Sequence, residues 1–169
     1  MMRNILFSLS FVLVTFMAVS CNLGTVISPS VQASSQLYRS YTVIGSLGQD
    51  SIVQDTITYK DSLSIGDTVR WPMVINGYYD YLVSFKATAD TNDVRLSFAW
   101  DPVFDTLLIE TSDYSHGVLE FKPAKVYAGL VTLVYVPRRS GTHQVDLVLN
   151  SAAQEPYSQW AGHFNMAVK

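Results

Sequence analysis

The sequence is poor in cysteine and poor in charge. It has one cysteine, Cys21, so no disulfide framework can form within a single chain. Charged residues make up 15 %, against about 25 % in an ordinary soluble domain. The formal net charge is -3 with no basic patch, which argues against a nucleic-acid partner. No run of acidic residues suggests a solvated tail. A glycine-rich phosphate cradle, a zinc-protease helix and a Gly-x-Ser-x-Gly elbow are all missing. The three histidines, His116, His143 and His163, are too few and too scattered for a metal cluster. Neither a metal nor another cofactor is expected.

What is present points first to export. The chain has 169 residues, a one-domain length. Met1, Met2, Arg3 and Asn4 make a short positive start. Residues 5–19 form an apolar run broken only by Ser8, Ser10 and Thr15. A permanent membrane span needs about 20 apolar residues, so the run is short for that role. Small residues and Cys21 follow, which completes the layout of a secretory signal.

Ala18, Val19, Ser20 and Cys21 resemble the lipobox of bacterial lipoproteins. That resemblance implies cleavage before Cys21, then acylation through a thioether and on the new amino group. One buried lipid chain gives only marginal attachment, whereas the three chains of the class anchor a protein to the membrane. Lipoproteins of the Bacteroidota type often carry acidic residues behind the cysteine when they are sent to the cell surface. Here no acidic residue precedes Asp50, so the resemblance implies an outer-membrane anchor facing the periplasm. Cleavage after Val31-Gln32-Ala33 and an uncut signal anchor are the competing readings. The expected organisation is a signal peptide over 1–20, a lipid-anchored flexible linker over 21–36, and a folded domain over 37–169. The linker assignment rests on residues 22–36, which carry no charge, one proline and repeated serines.

The remainder reads as all-β. Tyr, Val and Thr favour strands, and turn residues recur at short intervals, among them Asn76-Gly77, Asn92-Asp93, Asp101-Pro102 and Ser140-Gly141. Apolar residues alternate along Val69, Trp71, Met73 and Ile75, along Tyr81, Val83, Phe85 and Ala87, and along Val94, Leu96, Phe98 and Trp100. They do so again along Val145, Leu147 and Leu149, and along Phe164, Met166 and Val168. A period of two with one polar face predicts sheets buried on one side, and such sheets must cover each other. The expectation is a single antiparallel β-sandwich of about nine strands, similar to immunoglobulin-like sandwiches in general. Residues 131–136 are nearly all apolar and predict a central strand. Pro72 predicts an edge or a bulge, because it cannot donate to a ladder.

Several residues are candidates for function. Tyr79 and Tyr81 near Trp71, with Asp80 between the tyrosines, could hold a sugar ring or a peptide, or could be core and rim packing. A hairpin of residues 106–111 and 118–122 would set Glu110 opposite Glu120. Such a carboxylate pair is the layout of glycosidases; a register slip or two solvated side chains would explain it equally. Asp90, Asn92 and Asp93 offer oxygen ligands or simply a turn. Arg138-Arg139 reads as a solvated pair.

The functional expectation is a non-catalytic binding or scaffold module, tethered to a membrane and presented to a protein or glycan partner. An envelope hydrolase using Glu110 and Glu120 is one alternative. Another is a fimbrial-type assembly subunit, which resembles fimbrial lipoproteins of Bacteroidota trimmed after an arginine such as Arg39. A loosely held segment over residues 37–47 would favour the last; a buried strand there would count against it.

Overall fold

The computed structural model describes residues 27–44 and 50–169. The leader and Cys21 lie outside the described residues. Among the described residues ten strands form two antiparallel sheets, and the chain is an all-β sandwich.

The larger sheet contains β1 (Ser30–Ala33), β2 (Leu37–Ile44), β3 (Asp50–Ile57), β4 (Thr68–Asn76), β6 (Val94–Phe98) and β8 (Ala128–Pro137). Its order is β3-β2-β4-β8-β6, with β1 also on β4. The smaller sheet contains β5 (Leu82–Thr88), β7 (Val118–Glu120), β9 (Gly141–Ser151) and β10 (Gln159–Val168). Its order is β10-β9-β5-β7. A short helix α1 (Pro102–Asp105) and a 3-10 turn (Tyr114–His116) connect β6 to β7.

The core is the alternation made solid. Val69, Trp71, Met73 and Ile75 are buried on β4, Val131, Leu133 and Tyr135 on β8, and Val145, Leu147 and Leu149 on β9. Rings join the sheets: Trp71 meets Phe164 edge-on at 4.5 Å, and Phe85 meets Phe98 at 5.2 Å. β8 lies between β4 and β6, the central place its apolar run predicts.

Four details differ from the sequence pattern. Residues 30–33 are not spacer: β1 pairs with β4 from Ser30↔Asn76 to Ala33↔Met73. The kink behind it is fastened, because Ser34 N donates to Pro72 O at 2.9 Å and Trp71 Nε1 donates to Ser34 O at 2.7 Å. Pro72 is therefore neither at an edge nor on a bulge. Its backbone faces the junction where β1 ends and β2 begins along the same flank of β4, so its missing donor disturbs little of the ladder.

On β5, Leu82 pairs with Ser151 and Ser84 with Asn150, leaving Val83 as an extra residue. This bulge flips the phase. Leu82, Phe85 and Ala87 face the core, while Tyr81 and Val83 do not share their face. Finally, Trp100 is exposed, because β6 stops at Phe98 and Asp101 begins α1. The Asp101 carboxylate accepts from Val103 N at 2.8 Å and Phe104 N at 3.0 Å, an N-cap with proline at the first turn.

Candidate functional site

The outer face of the larger sheet carries an open groove of about 530 Å³. Strand parity builds it. Leu37 and Val69 are fully buried, so their neighbours Tyr38 and Arg70 point outward. Tyr38 is in register with both Thr56 on β3 and Arg70 on β4, which lines these three side chains across the sheet. Gln54 and Ser40 form the next row, and Pro72, Thr132 and Ala99 close the other end.

The chemistry of the lining is mixed. Tyr38 offers a half-exposed flat ring. Gln54 offers an amide, and Ser40, Thr56 and Thr132 offer hydroxyls. Among the described residues Arg70 makes no ion pair, so its planar fork can meet a carboxylate. Arg39, by contrast, faces inward and is committed: its Nε donates to Asp55 at 2.9 Å and a second nitrogen also bonds that carboxylate. Asp67 lies 3.8 Å from the same guanidinium. The Asp55 carboxyl is held below its ordinary range, chiefly by its hydrogen bond from Arg39.

The aromatic site expected from the sequence does not assemble. Trp71 is buried against Phe164 and hydrogen-bonded to Ser34, so it is core and cannot receive a ligand. Tyr79 is 77 % exposed and sits in the turn closed by Asp80 N on Gly77 O at 3.1 Å. That turn breaks the strand period which was to align Tyr79 with Tyr81, and Tyr81 is only half-exposed. Tyr78 adopts a positive φ of 57, and its hydroxyl accepts from Ser30 at 3.1 Å.

The carboxylate pair is out of register as well. Ile109 N donates to Glu120 O at 3.0 Å, so Ile109 and not Glu110 stands across from Glu120. Glu110 lies in the turn closed by Ser112 N on Ile109 O. The Glu120 carboxylate bonds the Thr111 hydroxyl instead. Beside it, Asp113 accepts from Ser115 and His116, which lowers its carboxyl to about 2. Neither Glu110 nor Glu120 lines the groove under Tyr38 and Arg70.

The Asp90–Asp93 segment satisfies itself. Asn92 N donates to the Asp90 carboxylate at 2.8 Å. Arg138 and Arg139 are not merely solvated: Arg138 Nη1 donates to Thr91 O at 2.9 Å, and Arg139 lies 3.8 Å from the Asp93 carboxylate. Among the described residues no group of three or more His, Cys, Asp or Glu side chains could hold a metal ion.

Sequence reasoning missed Tyr38, Gln54, Thr56 and Arg70. The available signal was the alternation of Tyr38 and Ser40 with Leu37, masked by the inward-facing Arg39. No protein-family model matches the chain, and no curated protein matches its sequence.

Proposed function

We propose that the chain is a lipid-tethered lipoprotein of the bacterial envelope, carried by the outer membrane on its periplasmic face. Its sandwich is a non-catalytic binding module for a glycan or protein partner. The groove under Tyr38 and Arg70 carries the reading: a flat ring, a free guanidinium and several neutral polar groups suit a segment with an apolar face and a carboxylate. Nothing in that lining resembles a nucleophile with its base. The tether rests on the leader and Cys21.

A hydrolase built on Glu110 and Glu120 is disfavoured, because the two do not face each other. Residues 37–40 count against a fimbrial-type subunit, since Leu37 is fully buried and Tyr38–Ser40 pair on both flanks, while residues 41–44 pair on one flank only and 45–47 lie outside the described residues. Trimming after Arg39 would cut a strand that is built into the sheet.

Calorimetry against acidic oligosaccharides and carboxylate-bearing peptides tests the groove. Tyr38→Ala and Arg70→Ala should each weaken binding by about tenfold, while Tyr79→Ala leaves it unchanged. Equal loss with Tyr79→Ala, or binding indifferent to Arg70, would move the site elsewhere. Intact mass of the membrane-extracted protein tests the tether. A mature chain beginning at Cys21 with added acyl mass, absent from Cys21→Ala, is the expected result.

A further inference from the structure

β2 and β3 extend beyond the rest of the larger sheet. They pair with each other from Leu37↔Ile57 to Ile44↔Asp50, yet β2 pairs with β4 only over Tyr38–Ser40. Residues 41–44 and 50–53 therefore form a two-stranded arm. Such a ribbon alone is marginal in water. This one carries large apolar side chains on both faces: Ile44 and Ile52 are 79 % and 76 % exposed on one, beside Thr42 and Asp50, and Val43 and Val53 lie on the other, beside Tyr41 and Ser51.

Among the described residues no strand pairs with the second flank of β3. β3 has no proline, no lysine and no bulge, so the main devices that blunt an edge are missing. Its one inward charge, Asp55, is already bonded to Arg39.

We propose that this edge is a self-association seam, at which β3 pairs antiparallel with β3 of a second copy about a two-fold axis through Val53. A second copy fits because β3 is complementary to itself in that register. Val53 then faces Val53 of the other copy, Ile52 faces Gln54, Ser51 faces Asp55, and Asp50 faces Thr56. Each carboxylate meets a hydroxyl, and no like charges stand opposite. The two Ile52 side chains become diagonal neighbours about 7–8 Å apart, close enough to cover each other. Shifting the axis to Gln54 would set Asp55 against Val53, and an axis between residues would set inner faces against outer ones. The product is a four-stranded ribbon, β2-β3-β3-β2, which passes the two-strand limit.

Disulfide trapping tests the seam, using the full chain in the membranes of the cells that make it. Val53→Cys should yield a covalent dimer on a non-reducing gel, since directly paired residues lie within disulfide reach. Thr56→Cys should not, because the register separates the two copies of that residue by about 20 Å. Co-expressed Asp50→Cys and Thr56→Cys should trap the mixed dimer and neither self-dimer. The unsubstituted chain, with Cys21 alone, sets the background. No trapping at Val53, equal trapping at Val53 and Thr56, or absence of the mixed dimer overturns the proposal. The same seam predicts that Val53→Lys, which sets two cations opposite each other, halves the mass seen by light scattering in detergent.

Discussion

Near the turn that joins β8 to β9, Tyr135 Oη and His143 Nδ1 share a buried hydrogen bond of 2.7 Å between the two strands. His143 Nε2 meets no protein partner among the described residues. Tyr135→Phe should therefore leave the whole imidazole unpartnered and cost about 1–3 kcal/mol in chemical denaturation. Adding His143→Leu should recover part of that loss, because both polar groups are then gone. Burial raises the Tyr135 phenol, with the Asp93 charge adding to it. Tyr114 is pushed up to about 12, first by burial and then by the Asp105 and Asp101 carboxylates. A raised phenol keeps its proton in the folded state after the unfolded chain has lost it. Stability from these two groups is thus full below about pH 10 and declines above it. Denaturation midpoints that fail to fall between pH 10 and 12 would contradict this. The tryptophans offer an optical check: Trp71 is buried, Trp160 is partly buried and Trp100 is 64 % exposed, so Trp100→Phe should remove the largest single share of the acrylamide-quenchable emission.

Among elements, α1 depends on a glycine. A Cβ on Gly129 of β8 would sit 2.6 Å from the Phe104 ring, and Phe104 also packs edge-on against Phe121 at 5.7 Å. Gly129→Ala should displace Phe104 and cost about 1–3 kcal/mol. In a Phe104→Ala background the same change should cost much less, and a double-mutant cycle measures the difference. The strands most legible in the sequence were those with unbroken alternation, β4, β6 and β9. The phase of β5 is hidden, because one extra residue at Val83 looks like ordinary alternation in Tyr81, Val83 and Phe85. β1 reads as linker because its four residues hold one large apolar side chain, Val31, and so carry no period. What makes it a strand is its pairing with β4, fastened at the end by Ser34 on Trp71 and Pro72, a contact between distant parts of the chain.

For the whole molecule, the fold class was legible because period-two patterning constrains every strand at once. The groove was not, because Thr56, Tyr38, Arg70, Pro72 and Thr132 belong to four strands whose neighbours are set by sheet order. Nothing local states that β4 lies between β2 and β8. That order also governs when the molecule can exist. A chain emerging from its N-terminal end can zip β2 onto β3 and lay β1 and β2 along β4. The other flank of β4 must wait for β8; β5 waits for β7 on one flank and for β9 on the other. Four of the six strands of the larger sheet are thus in place while their inner face has nothing to lie against. Refolding should be slow for the size of the domain, on the order of milliseconds to seconds. Through that interval the growing chain offers a bare apolar surface to any chaperone in its compartment.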